Sequence, residues 1–470
     1  MGLESSEVAD SLSMLAFVAG PQGRVAEEES LLRQALEIRV KLFGNEHFGL
    51  APLLNRLAFA LREQSREPEA EPLFRQSLEI KRKMVGDEHS EVAETLENLG
   101  ALVAHQDRMI EAELLLGEAL AIRRKLSPEN VPEIADTLAN LSIVLAALGK
   151  DAEAASACRE CLRIRRSVFG DQSLATADAL FGLGVALSHG VKPAEAELAY
   201  RESLDIRRKL VGAEDEDAAR TLDNLAWTLI SQSKVAEGEA IYRESLDIRR
   251  GVFGEASLEE ALSFSNLGKV QALQEQWRES EPLFRKSLWA RRRRLGQEHP
   301  DVTETLQNLS VSLCKQHKFS EAEPLMREEL AIRRKVIGSD AQVSKALGNL
   351  TVLLREQGRP AEAEELAREE LAIDRRIWTN SPPRLVGTMF HLAAILEETG
   401  KYDQAEPLML EASGIANKAA QAGLQRDVIE RVCQFYTRWS ATAPGTGKAP
   451  KALEWRKKLT AFDAVHESKP

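Results

Sequence analysis

The chain is dominated by one sequence pattern that returns with a fixed period. Residues 69–86, EAEPLFRQSLEIKRKMVG, contain a central isoleucine, Ile80, whose equivalents follow at intervals of 42 residues with one interval of 41. These equivalents are Ile38, Ile122, Ile164, Ile206, Ile248, Ala290, Ile332, Ile373 and Ile415. Such periods are typical of repeat proteins, in which each unit packs against its neighbours. The 470 residues can therefore form one array instead of the about three globular domains that length alone favours.

Each unit predicts a pair of helices. Val92, Leu96 and Val103 recur at helical spacing, and a second apolar face follows a break at residues 105–108. The second helix usually ends in basic residues followed by glycine, as at Gly86, which suits the C-terminal end of a helix. No segment alternates in the manner of a strand. The sequence thus predicts an all-α fold, a solenoid of about ten to eleven antiparallel helix pairs.

Equivalent positions of the second helix alternate between large and small residues. The large residues are Leu32, Phe74, Leu116, Cys158, Tyr200, Tyr242, Phe284 and Met326. Three residues later the small ones are Ala35, Ser77, Ala119, Cys161, Ser203, Ser245 and Ser287. We expect these columns to interlock neighbouring helices, because one pair cannot bury its apolar face alone.

The repeats divide the chain into two predicted parts. Ten helix pairs occupy residues 1–424, and residues 425–470 form a degenerate pair and tail that cap the array. At the other end, Leu12, Leu15, Phe17 and Val18 lie on a helix with nothing before it to cover them. Three explanations remain open: the first residues fold back, the chain was cut from a longer one, or a partner binds there.

Composition limits the class of partner and compartment. The chain has 62 Lys and Arg against 74 Asp and Glu, a net charge of −12, whereas dedicated nucleic-acid binders are normally basic. Four cysteines without a disulfide framework indicate a reducing, cytoplasmic location. No apolar run approaches the ~18 residues of a membrane span. We therefore expect no nucleic acid and no membrane span.

Motifs that carry chemistry are absent from the sequence. Cys158 and Cys161 form C-x-x-C, but no second ligand pair accompanies them and both fall in the packing columns. His47, His89 and His299 lie in turns between units, where we expect them to cap helices. The run at residues 291–294, RRRR, is interpreted as a solvated helix end, with an acidic partner as the alternative. The sequence predicts no enzyme, no cofactor and no metal.

Several motifs resemble a known family. Leu99, Gly100, Leu116 and Ala119 follow the small-and-large pattern of the tetratricopeptide repeat. The motifs N-L-[GAS], E-A-E-P-L and, at residues 296–302, GQEHPDV resemble its extended 42-residue form in kinesin light chains. The resemblance covers roughly residues 6–460. It implies a right-handed superhelix whose concave groove is lined mainly by the first helices.

The resemblance also implies which residues contact a ligand. In relatives, the asparagine before the leucine of N-L-[GAS] points into the groove and binds the backbone of an extended peptide. The equivalents here, which we call the asparagine column, are Asn98, Asn140, Asn224, Asn266, Asn308 and Asn349. An amide suits this role because it both donates and accepts. The column is broken at Arg56, Gly182 and His391, and the alternative is that each asparagine bonds its own helix or a neighbouring repeat.

A second column, three residues further on, is predicted to face the same groove. It consists of Ala101, Ile143, Val185, Trp227, Lys269, Val311 and Val352. Trp227 is the predicted anchor for a ligand, since indole offers a large contact area and a donor. The alternative is that Trp227 packs between repeats.

These observations predict a non-enzymatic scaffold for protein–protein interaction, which binds an extended peptide or a partner domain in its groove. The alternative function is a sensor module of a larger signalling protein, linked to a kinase or a nucleotide-dependent switch. The uncovered N-terminal helix motivates that alternative. It also motivates self-association through the same helix.

Overall fold

The computed structural model describes residues 5–127, 131–189, 192–212, 215–338, 340–378, 381–419 and 421–466. These residues form 22 α-helices joined by short turns, and they contain no strand. The helices belong to two compact units, Met1–Val252 and Phe253–Pro470. Within each unit, consecutive helices pack in pairs and each pair packs on the next. The predicted all-α solenoid of helix pairs is confirmed.

Odd-numbered helices are the first helices of the repeats and even-numbered ones the second helices. The first unit contains α1 (Ser6–Ala19), α2 (Val25–Phe43), α3 (Ala51–Glu63), α4 (Glu67–Val85), α5 (Ser90–His105), α6 (Met109–Leu126), α7 (Pro132–Ala147), α8 (Asp151–Phe169), α9 (Leu174–His189), α10 (Pro193–Leu210), α11 (Glu216–Ser231) and α12 (Val235–Phe253). Short 3₁₀ turns at Gly20–Gln22 and Phe48–Leu50 precede α2 and α3.

The second unit continues the same alternation. It contains α13 (Leu258–Leu273), α14 (Trp277–Leu295), α15 (Pro300–Lys315), α16 (Phe319–Ile332), α17 (Asp340–Glu356), α18 (Pro360–Ile377), α19 (Pro382–Glu398), α20 (Tyr402–Ala419), α21 (Ala422–Thr442) and α22 (Ala449–His466). A π-helical turn, Arg333–Ile337, extends α16. The division of the chain at residue 424 into repeats and a capping pair stays a prediction.

The turns between repeats are fixed by histidine and glycine. The Nδ1 atoms of His89 and His299 accept hydrogen bonds from the backbone N–H groups two residues on, at 3.3 and 3.2 Å. His47 accepts one in the same way, so all three histidines are caps, as predicted. Gly86 follows α4 with φ 83° and ψ 168°. That conformation is essentially restricted to glycine, so it is a stricter requirement than the left-handed helical one.

Helix contacts in each unit depend on glycine opposite a large residue. A Cβ added to Gly184 of α9 would lie 2.5 Å from the ring of Tyr200, which is fully buried on α10. One added to Gly268 of α13 would lie 2.7 Å from Phe284. The glycine after the leucine in N-L-G therefore makes room for the large column of the second helix.

The small column contributes hydrogen bonds as well as space. The hydroxyls of Ser77, Ser203, Ser245 and Ser287 donate to backbone carbonyls of the preceding first helix, at 3.0, 2.7, 3.2 and 2.7 Å. All four serines are fully buried. The sequence predicted close approach at this column; the structure adds a hydrogen bond between the two helices of each of these pairs.

The outer surface carries a ladder of ion pairs between successive second helices. An arginine of one second helix pairs with a glutamate 36 residues later, as in Arg75–Glu111, Arg159–Glu195 and Arg285–Glu321 at 2.6, 2.8 and 2.7 Å. Both partners of each pair keep a third or more of their side-chain surface exposed. Such pairs contribute little individually. They occupy the second-helix side chains and leave the first helices to form the candidate site.

Candidate functional site

In the first unit, the asparagine column is half-buried on the first helices. Asn140 donates to Glu97 Oε1 of the preceding repeat at 3.0 Å, and Asn224 donates to the carbonyl of Arg220 in its own helix at 3.0 Å. No hydrogen bond joins the Asn98 side chain to another described residue. Two of these three asparagines therefore make the intramolecular bonds of the alternative interpretation, and each amide retains unused hydrogen-bonding capacity.

In the second unit, the column has fewer partners. The amide nitrogen of Asn308 is buried and has no hydrogen-bond partner among the described residues. Asn266 and Asn349 likewise form no side-chain hydrogen bond with any residue in the described ranges. A buried amide without a partner costs about 1–3 kcal/mol. An acceptor could reach this nitrogen only after the amide had turned toward the surface, because the atom is buried.

The second column exposes apolar surface on the same helices. Ile143 is 68% exposed, Trp227 57% and Val352 45%. Trp227 therefore does not fill the space between repeats, although its role as an anchor stays a prediction. Lys269 departs from the column, because its ammonium pairs with Glu304 Oε1 at 2.6 Å.

A cavity of about 630 Å³ opens on the first helices of the first unit. It lies where Gly182 interrupts the asparagine column, and we call it the Gly182 cavity. Its lining comes from α7, α8, α9 and α11: Ala139, Ser142, Ile143, Ala146, Ala147, Cys158, Cys161, Arg165, Ala175, Asp178, Ala179, Phe181, Gly182, Val185, Ala186 and Asn224. Most of these residues are small or apolar. The cavity thus combines members of both predicted columns in one concave surface.

The two thiols in the cavity wall are neutral at physiological pH. Cys158 and Cys161 are buried in the apolar cluster of the first unit, which confirms their packing role. Burial raises the pKa of the Cys161 thiol to about 11 and also raises the pKa of Cys158. A protonated thiol behaves as a small apolar group. The cysteines therefore add apolar surface and no charge.

The charged groups of the cavity already have partners. Arg165 forms an ion pair with Asp136, and Asp178 forms one with the buried Arg207 of α10. Desolvation raises the pKa of Asp178, while Arg207 acts in the opposite direction. Arg220 of α11 lies over the Phe181 ring, with its guanidinium carbon 4.9 Å from the centroid. The cavity consequently presents no unpaired charge to a ligand.

Sequence reasoning identified the break at Gly182 but missed the cavity. The informative signal was the coincidence of that glycine with small residues on the same face of α7 and α9. These are Ala139, Ala146, Ala175, Ala179 and Ala186. Small side chains on two neighbouring first helices leave a volume that the repeats with Asn and larger residues fill.

The basic run at residues 291–294 is largely engaged within the molecule. Arg291 donates to the carbonyl of Asp301 at 2.7 Å and to Thr305 Oγ1 at 2.8 Å. Arg292 pairs with Glu328, and Arg294 donates to the carbonyl of Ala256 at 2.9 Å. The interpretation as a solvated helix end is wrong for Arg291, which is buried, whereas Arg294 is exposed and Arg292 keeps about a third of its side-chain surface exposed. The fourth arginine stacks on an exposed tryptophan of the same helix.

Comparison with known proteins gives the family. The tetratricopeptide repeat profile matches residues 7–83, 50–125, 133–209, 217–293, 259–335 and 301–376. The chain belongs to the tetratricopeptide repeat family, as its sequence motifs predicted. Repeats of this family form protein–protein interaction scaffolds, in general without enzymatic activity. No curated protein matches the chain significantly.

Solved structures with a similar arrangement come from several organisms. A putative kinesin light chain from Podosopora anserina with nearly identical TPR-like repeats is 22% identical and covers 44% of this chain and 99% of its own, with a TM-score of 0.40. BtubC (BKLC) from P. vanneervenii is 20% identical over 50% of this chain and 94% of its own, with a TM-score of 0.43.

A third similar structure is longer than this chain. It is a signal transduction ATPase with numerous domains and a tetratricopeptide repeat sensor, from Pyrococcus horikoshii. It is 13% identical over 76% of this chain and 53% of its own length, with a TM-score of 0.50. This likeness concerns the fold. No helix in the described part of the chain is both long and apolar enough to cross a membrane.

Proposed function

We propose that the first helices of the repeats bind an extended peptide of a protein partner, with the asparagine column contacting its backbone. The observation that carries this proposal is that Asn98, Asn266 and Asn349 are part-exposed and form no side-chain hydrogen bond with any described residue. Backbone carbonyls recur along any extended peptide, so an amide donor can bind it whatever its sequence. The second column, three residues further on in the same first helices, includes the exposed residues Trp227 and Ile143. These residues offer contact area for the side chains of the peptide.

The test is a peptide-display screen on the full chain, followed by affinity measurement of the enriched peptides. The variant Asn224→Ala, Asn266→Ala, Asn308→Ala removes three backbone contacts and is expected to weaken binding at least tenfold. A matched control replaces surface asparagine outside the column, Asn417→Ala, and leaves affinity unchanged. Equal affinity of the triple variant and the wild type for every enriched peptide would overturn the proposal.

A sensor module of a larger signalling protein is the second candidate function. The observation that favours it is the apolar face of α1, where Met14, Leu15, Phe17 and Val18 are each more than half exposed. In this reading the face packs against a kinase or nucleotide-switch domain, as a tetratricopeptide sensor accompanies an ATPase in the protein from Pyrococcus horikoshii.

Self-association would use the same face of α1, and a measurement of molecular mass distinguishes it from the sensor function. A dimer through α1 predicts a doubled mass in light scattering of the full chain, and the substitution pair Leu15→Glu, Phe17→Glu is expected to restore the monomer mass. A monomer at all concentrations would exclude self-association. The control Ile110→Glu changes an equally exposed apolar residue on α6 and leaves the mass unchanged.

A further inference from the structure

We propose that the Gly182 cavity receives two uncharged apolar side chains from alternate residues of a bound peptide, at least one of them aromatic. The inference rests on the proposed function, because it assigns the side chains of the peptide whose backbone the asparagine column contacts. It selects a motif of two apolar residues separated by any one residue, which we call the alternate apolar motif.

The position of the cavity places it on the path of such a peptide. Asn140 and Asn224 belong to the repeats on either side, and Gly182 takes the place of the asparagine between them. A Cβ built on Gly182 meets nothing within 4 Å, so the space beside it is open. A peptide that runs along the column therefore passes over the opening between two backbone contacts.

The size of the cavity calls for more than one side chain. A volume of about 630 Å³ lies in the range of pockets that enclose drug-sized ligands, roughly 300–1,000 Å³. In an extended chain, residues i and i+2 point to the same side and lie about 7 Å apart. The cavity reaches from Ile143 on α7 to Asn224 on α11 across α9. Two alternate side chains can therefore enter it together.

The chemistry of the lining excludes charged side chains. Arg165 and Asp178 have their own ion-pair partners, so an incoming charge would lose water without gaining a counter-ion. The alanines, Phe181 and the two protonated thiols favour apolar groups. Phe181 also lies in the lining, and pairs of aromatic rings gain energy beyond their buried area. An aromatic side chain therefore gains more here than an aliphatic one of the same length.

The other breaks in the asparagine column carry full side chains in place of an opening. Arg56 pairs with Glu28 and lies 5.0 Å from the centroid of the Phe17 ring, so its position is filled. His391 has an imidazole at the equivalent position. Among the three breaks, the missing side chain is specific to Gly182, and selectivity for apolar side chains is assigned to this repeat.

The test uses one variant that narrows the cavity beside Gly182 and restores the column. Gly182→Asn adds the side chain that other repeats have, and Gly117→Asn on α6 is a matched control, since its added Cβ also meets nothing within 4 Å. Circular dichroism verifies that both variants fold. Peptides enriched from a random display library on the full chain are then measured by fluorescence anisotropy against wild type and variants.

The proposal expects enrichment of the alternate apolar motif, at least tenfold weaker binding to Gly182→Asn, and unchanged binding to Gly117→Asn. These results together would support the cavity as the side-chain site.

Failure of the cavity proposal and failure of the groove proposal give different results. Enriched peptides that bind Gly182→Asn as well as wild type, but lose affinity with the asparagine triple variant, would overturn the cavity and retain the groove. If the screen enriches no peptide, both proposals are overturned. If the neutral fluorophore N-phenyl-1-naphthylamine then bound wild type and not Gly182→Asn, the cavity would take a free apolar molecule, which contradicts a peptide occupant.

Discussion

Two repeats depart from the common pattern, and they do so in different ways. In the first unit, Gly182 of α9 lacks the side chain that other repeats have at a half-exposed position, and a cavity results. In the second unit, Asp374 of α18 replaces a base at a buried position, and no opening results. A lost side chain at the surface leaves space for a ligand, whereas a reversed charge in the interior requires new partners.

The column that contains Asp374 is basic in every preceding repeat. Its members are Arg39, Lys81, Arg123, Arg165, Arg207, Arg249, Arg291, Arg333, Asp374 and Ala416. Lys81 donates to Thr95 Oγ1 at 3.1 Å and approaches Glu91 Oε2 at 3.7 Å, and these partners lie 14 and 10 residues later. Arg123 and Arg291 make the same contacts with the next first helix, whereas Arg165 and Arg249 pair with an aspartate of the preceding first helix.

At Asp374 the same two positions carry complementary chemistry. Thr388, 14 residues later, donates its hydroxyl to Asp374, and Arg384, 10 residues later, lies 3.6 Å from the carboxylate. Ser344 of α17 donates to the second carboxylate oxygen. The acid and the base have exchanged places along the chain, so the contact between helices is retained. We call Asp374, Ser344, Arg384, Thr388 and the neighbouring Glu370 the Asp374 cluster.

The largest effect is expected from reversing the charge at this cluster. Asp374→Arg places a second cation beside Arg384 and leaves the hydroxyls of Ser344 and Thr388 without their acceptor. Arg384 keeps 42% of its side-chain surface exposed, so the ion pair itself contributes little, whereas a cation left without a counter-ion at the fully buried Asp374 position costs about 3–5 kcal/mol. Urea unfolding of the second unit, followed by circular dichroism, should show a correspondingly lower midpoint.

The double variant Asp374→Arg, Arg384→Glu is the control for that prediction. It restores the order of base and acid found in the other repeats, and we expect it to regain at least half of the lost stability. A double variant no more stable than the single one would show that the exchange of charges is not what compensates Asp374.

The second-largest effect on stability is expected at Glu370, the other carboxyl of the Asp374 cluster. Burial raises the pKa of this carboxyl to about 7, and Asp374 adds to the shift. Between its ordinary value of 4.5 and about pH 7 the folded state holds a proton that the unfolded state releases, so stability falls as pH rises. Glu370→Gln should stabilise the protein at pH 8 by up to about 3 kcal/mol, with the gain vanishing near pH 4.5.

Thermal unfolding of wild type and Glu370→Gln at several pH values measures this difference. Glu94→Gln, an exposed carboxyl on α5, serves as the control and should change stability by about 0.5 kcal/mol or less at every pH. A pH-independent gain for Glu370→Gln would contradict the assignment of the raised pKa.

A smaller effect compares glycines in the two regions directly. Gly182→Ala should stabilise the first unit by about 0.5–1 kcal/mol, because its Cβ meets nothing and alanine favours helix. Gly348→Ala has the same helix preference but brings its Cβ within 2.8 Å of Glu370 Oε1, and because this buried carboxyl must move we expect a small net destabilisation of the second unit. Denaturant unfolding of both variants measures the change in the free energy of unfolding. A change of the same sign in both variants would contradict the difference between the two regions.

The smallest effect is expected where the two units agree. Arg159→Gln in the first unit and Arg285→Gln in the second each remove a rung of the outer ion-pair ladder. Both should cost about 0.5 kcal/mol or less, decreasing further in high salt. A loss above about 2 kcal/mol at either rung would mean that the ladder, and not the interior columns, holds the repeats together.

The regular features of the fold could be predicted from the sequence, because the same residue types recur at equivalent positions of successive repeats. The period gave the helix pairs, the histidine caps and the buried large column at residues such as Phe74 and Tyr200. The cavity and the Asp374 cluster could not be predicted, since each depends on residues from three or four helices. Gly182 alone is only a missing side chain; the alanines of α7 and α9 turn it into an opening.

The asparagine column shows the same limit. Its membership follows from sequence, but the availability of each amide depends on what lies next to it. Asn140 finds Glu97 in the preceding repeat, while the amide nitrogen of Asn308 is buried without a partner in the described residues. Asparagines at equivalent positions therefore differ in which amide donors and acceptors remain available to a ligand.

The most direct test of the account is a crystal structure of the chain with a peptide enriched in the display screen. We expect an extended peptide along the first helices, with backbone hydrogen bonds to amides of the asparagine column and apolar side chains beside Gly182. A peptide bound to the second helices, or one that contacts neither an asparagine of the column nor the cavity, would contradict it.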